Sequence, residues 1–234
     1  SASPISLSPA VFRRQMQWLA SDGPQVVTLD ALLRMDAAAD AVALSFDDAF
    51  DNFRTEALPV LRDLGLPATL GVVTGHVGET NRWGATDQPG IPTLPLMDWD
   101  GDQAAIETGV VEVAAHTRTH PHLTRTDPEA LVDEVEGVRH DLQRRLGVES
   151  ETFVYPDGDL NESVVRVVSA HYRRALTTRL ADLESREDPL RIPRIDTYYF
   201  RAPGQLEQWG GARFRMRLRM RAFGRSVRER MTGG

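Results

Sequence analysis

Three short clusters in this sequence carry residue types that do chemistry: Asp47-Asp48, His116 with His120, and Tyr155-Pro156-Asp157-Gly158. Each follows a run of strand-like residues, so all three can meet at one edge of a parallel sheet. One carboxylate with two imidazoles leaves a coordination position open to water, the pattern of catalytic rather than structural zinc. A metal held that way lowers the pKa of water toward neutrality and polarises a carbonyl. The second aspartate, too close in sequence to be a redundant ligand, would face the site differently and orient or deprotonate that water.

Taken singly, each cluster also has a structural reading. Asp-Asp at a strand end serves as a helix cap or a solvated turn. Outside a helix, the four-residue spacing of His116 and His120 does not by itself make two rings converge, and Pro121-His122 indicates a loop. Tyr155-Pro156 alone is a turn with a buried tyrosine.

The elements that must position these clusters alternate in type. Ser8-Pro9 reads as cap and first residue of a helix that puts Phe12, Met16 and Leu19 on one face and ends at Gly23. A strand at Val26–Leu29 follows, and Asp30 caps a short helix through Leu33. Ala41–Phe46 is an apolar run that reads as one fully buried parallel strand with carboxylates at its C-terminal end. A helix over 51–64 closes at Gly65, a strand runs over 68–73, and 75–95 is a long Gly- and Pro-rich loop around Trp83, of a length usually tied to function. Helix 100–108 leads to strand 110–115, helix 127–146 stops at Gly147, and strand 152–155, helix 162–170, strand 174–178 and segment 190–196 complete the series. Strand-helix alternation of this kind implies parallel β/α units with the active site at the C-terminal strand ends.

Composition sets the outer limits. The 234 residues are 41% hydrophobic and 26% charged, with no cysteine, which excludes disulfides and thiolate metal sites. No apolar run approaches 18 residues, so the chain reads as soluble and globular. All 27 basic residues are arginine, and nine of them fall in residues 201–234 against Glu207 and Glu229, a balance of +7. Residues 1–200 therefore hold 18 arginines against 32 acidic residues, or -14.

The order and setting of the three clusters resemble the polysaccharide deacetylases with a NodB-homology domain, carbohydrate esterase family four. Ser45-Phe46-Asp47-Asp48-Ala49 is similar to that family's T-F-D-D-G, with alanine in place of the glycine. His116-Thr117-Arg118-Thr119-His120 matches H-[ST]-x-x-H, and Phe153-Val154-Tyr155-Pro156-Asp157-Gly158 resembles the branch reading F-x-Y-P-x-G. The resemblance runs from about Ser8 to Asp196 and includes Ile192-Pro193-Arg194-Ile195.

The resemblance implies an α/β fold, a distorted (β/α)7 barrel; the chain is expected to divide into an N-terminal helix and strand packed on the barrel (1–40), the deacetylase barrel (41–200) and, outside the resemblance, an Arg-rich C-terminal tail (201–234). It implies that Asp48, His116 and His120 hold a divalent metal, zinc first with cobalt or nickel as alternatives, and that Asp47 is the general base. The backbone N–H of Asp157 corresponds to the oxyanion donor. Val154 stands where most of the family has an arginine that steadies the base, and Arg194 is the candidate to replace it. No histidine near 190–196 matches the family's fifth-motif acid. Tyr155, Trp83 and His76 are candidates to contact substrate, and His122 to support a ligand. The implied reaction is N-deacetylation of an N-acetylhexosamine in a glycan or glycoconjugate. The alternatives are a silent metal-dependent glycan-binding domain and a deacetylase of a non-polymeric acetylated amine.

The tail alternates arginine with apolar residues from Arg213 to Arg221. As a helix it has no single wide apolar face, although its residues are good helix formers. Beside a terminal helix packed on the barrel, residues 213–230 suggest a membrane-surface or acidic-partner contact. Nucleic acid is not expected, because the interleaved residues are Met and Leu and the acidic body repels phosphate. Localisation is expected in the bacterial cytoplasm, or outside the cell if a signal preceded Ser1.

Overall fold

The computed structural model describes residues 7–36, 39–83 and 92–232, the last seven as backbone alone; part of the 75–95 loop, residues 84–91, lies outside the described residues. Helix α1 (Pro9–Ser21) begins as its sequence dictates, with the Ser8 side chain accepting from Val11 N and Met16 and Leu19 buried. It is followed by β1 (Gln25–Val26) and α2 (Leu29–Arg34). Thr28, not Asp30, caps α2, since its hydroxyl accepts from Ala31 N. Asp30 sits in the first turn and instead pairs with Arg174, 2.7 Å away.

The apolar run 41–46 is not one buried strand. It divides into β2 (Ala41–Val42), which pairs with β1, and β3 (Leu44–Phe46), which pairs with β4 (Ala68–Val72). Ala43 marks the change of partner. Both pieces are half-buried because β3 is the edge of its sheet and its outer side faces a cleft. Apolar residues persist there because they line the cleft wall.

The remaining units follow the expected alternation. A π-helical turn (Phe53–Ala57) runs directly into α3 (Leu58–Leu64), which ends at the left-handed Gly65. Then come β4, α4 (Trp99–Glu107), β5 (Val111–Ala115), α5 (Pro128–Val132), a second π-helical turn (Asp133–Gly137) and α6 (Val138–Leu146). β6 (Thr152–Val154), α7 (Glu162–Ser169), β7 (Arg174–Leu176) and the long α8 (Ala212–Thr232) complete the chain. Strands β3-β4-β5-β6-β7 form one parallel sheet in sequence order, beside the short parallel pair β1-β2. The larger sheet curls into a half-barrel, so the fold is the distorted β/α barrel that the motifs imply.

The core reflects this order. β4 is buried along its whole length between β3 and β5. Leu61, Leu70, Val72, Val135, Leu142 and Phe153 lie in the main apolar cluster that joins sheet and helices. α8 docks through a separate cluster, in which Phe214 and Leu218 meet Leu180, Phe200 and Leu206.

Candidate metal centre and active-site cleft

The C-terminal ends of β3, β5 and β6 converge on a cleft of about 1270 Å³ lined by Asp47, Asp48, His116, His120, Asp157 and Arg194. The chain turns sharply at these ends. The five non-glycine residues with positive φ among the described residues are Asp48, Ala49, Thr117, His120 and Asp157, and all lie in the three motifs. Left-handed backbone costs on the order of 1 kcal/mol or more at a residue with a Cβ, and such strain concentrates at functional sites. At the first motif it has a visible effect: consecutive left-handed residues after Asp47 send the two neighbouring carboxylates to different partners.

Asp48 turns toward the histidines. Its Oδ1 lies 3.2 Å from His116 Nε2 and 3.5 Å from His120 Nε2. One ligand atom from each of the three residues falls within 4.8 Å of the others. His116 Nδ1 lies 2.8 Å from the Val154 carbonyl, to which only an N–H can donate, and this leaves the neutral ring's lone pair on Nε2. Two imidazole nitrogens then aim at a carboxylate oxygen that is itself buried and, among the described residues, has no hydrogen-bond donor. Acceptors converging in this way fit a cation, and the donor set suits a divalent metal. Burial lowers the His116 pKa, but Asp48 and Asp47 outweigh it and raise it. His120 is moved the other way, to about 4, by burial and by the neighbouring His116, which keeps its ring neutral.

Asp47 turns toward Arg194, whose Nη1 and Nη2 reach Oδ1 and Oδ2 at 2.6 and 2.8 Å. The guanidinium is itself anchored, with Nε donating to Thr177 O at 2.7 Å. Burial alone would raise the Asp47 carboxyl, yet the arginine's charge and hydrogen bonds hold it at about 2. The site thus has one carboxylate turned to His116 and His120 and one kept ionised by a two-point ion pair.

The supporting residues were not evident from sequence. Glu134, in the second π-helical turn, is buried; its Oε2 accepts from Arg118 N and Thr119 N at 2.8 and 2.9 Å, and its Oε1 accepts from the Thr119 hydroxyl at 2.6 Å. Thr117 Oγ1 accepts from His120 N at 3.0 Å. Together they fix the loop between the two histidines. On the opposite wall, the Thr178 hydroxyl donates to Asp157 O at 3.1 Å. A Cβ on Gly158 would come 2.0 Å from Thr178 Oγ1, so only glycine lets these segments close.

The candidate substrate contacts fare differently. Trp83 borders the cleft but is buried, and its ring stacks on His120 at 4.4 Å, so that face is taken by the imidazole and not by a sugar. Tyr155 does not line the cleft: it is fully buried, its hydroxyl donating to Leu190 O at 3.1 Å and its ring edge-on to Phe153. His76 is also absent from the lining and is paired with Glu79 at 2.8 Å. His122 is exposed at the start of a 3-10 turn. Tyr198 and Asp196, which gave no signal, line the cleft beside Arg194.

A curled parallel sheet with an Asp-His-His cluster at its C-terminal edge defines a β/α-barrel protein with a candidate divalent-metal site. The family model "Polysaccharide deacetylase" matches residues 34–175, more than half of the chain, and the chain belongs to that family. It is similar to the poly-beta-1,6-N-acetyl-D-glucosamine N-deacetylase of Staphylococcus epidermidis, 22% identical over 219 residues that cover 88% of this chain and 73% of the relative. The protein of the same name from Staphylococcus aureus (strain MRSA252) is 25% identical over 175 residues, 70% of this chain; the match spans 57% of that relative's length. Among solved structures, IcaB from Ammonifex degensii shares the fold, with a TM-score of 0.74 at 20% identity over 91% of this chain and 93% of that one.

Proposed function

We propose that this deacetylase removes N-acetyl groups from N-acetylhexosamine units of a polysaccharide, with β-1,6-linked N-acetylglucosamine the first substrate to test. The observation that carries the reading is the Asp47–Arg194 pair set beside the Asp48, His116 and His120 cluster in one cleft. The names of the relatives support the substrate class.

A divalent metal, zinc by its donor set, would be held by Asp48, His116 and His120 and would supply Lewis-acid polarisation of the acetamide carbonyl and a lowered pKa for water. Asp47, ionised at any working pH, takes the proton of the attacking water. Arg194 fixes which carboxylate oxygens face the cleft and prevents Asp47 from rotating toward the ligands. The Asp157 backbone N–H is assigned to the developing oxyanion, in the wall that Thr178 and Gly158 hold in place. Among the described residues, His116 and His120 are the only histidines lining the cleft, so no separate imidazole is assigned to the leaving amine. Asp47 is assigned instead: having taken the proton of the water, it returns that proton to the departing nitrogen. Amide and water thus give amine and acetic acid: one proton of the water passes through Asp47 to the nitrogen, and the other stays on the new carboxyl group, which ionises to acetate on release.

The test is acetate release from β-1,6- and β-1,4-linked N-acetylglucosamine oligomers by the metal-loaded chain. Release from the β-1,6 series above the β-1,4 series supports the proposal. Glycan binding with no acetate released from either would overturn it.

A further inference from the structure

The arginine tail is not absorbed by the reaction, and its helix is two-sided. Phe214 and Leu218 point inward and are buried, with the Phe214 ring stacked on Phe200 at 4.5 Å. Met216, Met220 and Phe223 point outward and are 60%, 68% and 72% exposed. Spaced four and three apart, these three form one stripe along α8. At 3.6 residues per turn, Arg213 and Arg217 fall along one side of the stripe and Arg215 and Arg219 along the other. Between Glu207 and Glu229 the sequence holds seven arginines and no acidic residue. Arg215 donates to Gly210 O and Arg221 lies over the Tyr199 ring at 5.4 Å. Among the described residues, Arg213, Arg215, Arg217, Arg219 and Arg221 form no ion pair.

We propose that the outer face of α8 docks on an anionic phospholipid surface, with Met216 and Met220 entering the acyl boundary and the flanking arginines lying at headgroup level. An apolar stripe with cations on both sides is the pattern of a helix lying flat in a membrane interface. A phosphate backbone would neutralise the arginines but leave the methionine stripe in water, which disfavours nucleic acid. Among the described residues no helix is long and apolar enough to cross a membrane, so the mode is surface binding.

The placement bears on the reaction. Arg225, further along the same helix, borders the cleft that holds Asp47 and Arg194. A helix is about 10–12 Å across. Docking through the outer stripe therefore holds the α8 rim of the cleft about that far from the lipid, within reach of glycan chains emerging at the surface.

The test uses the full chain and vesicles of phosphatidylcholine with or without phosphatidylglycerol, in low and high salt. Co-sedimentation with the phosphatidylglycerol vesicles is expected to be at least about tenfold stronger than with pure phosphatidylcholine and to weaken in high salt. The double variants Met216→Ser with Met220→Ser, and Arg213→Gln with Arg219→Gln, should each reduce it about tenfold while acetate release from a soluble oligomer stays unchanged. Equal binding to both vesicle types, or undiminished binding by both double variants, would overturn the proposal. So would a chain that ignores vesicles but forms a dimer that the methionine variant dissociates, since a second copy would then be the occupant. Vesicle binding does not depend on the reaction assigned to the cleft, so the two readings fail separately.

Discussion

Arg194 and Asp47 lie 147 residues apart in sequence and meet in a two-point ion pair of 2.6 and 2.8 Å. The motif that supplies the carboxylate and the segment that supplies the guanidinium come from opposite edges of the open sheet, since the Ile192 segment runs beside β7 and Asp47 follows β3. The pair therefore ties the two edges together across the cleft as well as setting the charge of Asp47.

Arg194→Lys should fail to replace the arginine, because an ammonium is a point charge and cannot hold both oxygens. Turnover is expected to fall at least tenfold, roughly, with metal content retained, as measured by acetate release and metal analysis. The pair also has a stability signature. Asp47's folded-state pKa is depressed from 3.8 to about 2, so its contribution is present above about pH 4 and is lost as the pH falls toward 2. Arg194→Met should flatten that part of the acid-unfolding curve.

Glu134 touches neither the His116 nor the His120 ring, yet it accepts three hydrogen bonds from the loop between them. Glu134→Ala is expected to weaken metal affinity by about tenfold to a hundredfold, the usual scale for groups that orient ligands. Glu134→Gln, which keeps an acceptor oxygen, should recover part of it. Titration of the stripped protein with zinc checks both.

Gly158→Ala probes the opposite wall. The added methyl would overlap Thr178, and the residue sits at φ +72. A stability loss of roughly 2 kcal/mol or more is expected, with acetate release reduced while zinc still binds, because the ligands lie on the other strands. Pairing it with Thr178→Ala should restore part of the stability, which thermal melts would show.

Asp102 in α4 carries a different pH signature. It is fully buried and, among the described residues, has no hydrogen-bond partner for either carboxyl oxygen; burial followed by the charge of Asp98 raises its pKa to about 7. A raised acid stabilises the fold below about pH 4, and that contribution is lost as the pH climbs through 7. Asp102→Asn should therefore be more stable than the parent above neutrality, by on the order of 2–4 kcal/mol, with the gap closing toward pH 4. Melting temperatures across that range decide it.

What the sequence showed and what it hid follow the same division. The Ser8-Pro9 start of α1, the Gly65 and Gly147 stops and the motifs after β3, β5 and β6 are local signals, and each stands where it was read. Long-range packing decided the rest. The run 41–46 is apolar throughout, so nothing in it shows that Ala43 changes sheet partner. Trp83 and Tyr155 are both aromatics near motifs, and only the fold distinguishes a ring stacked on His120 from one in the core. Glu134 is one acid among several in a helix, and its role comes from the π-helical turn that aims it at the histidine loop.

The most direct test compares the parent chain with Asp47→Asn, both loaded with zinc, by acetate release from β-1,6-linked N-acetylglucosamine oligomers and by metal content. The expected result is a full complement of metal in both and a loss of acetate release of at least about a hundredfold in the variant. An unchanged rate in Asp47→Asn would contradict the assignment of Asp47 and, with it, the reaction proposed for the cleft.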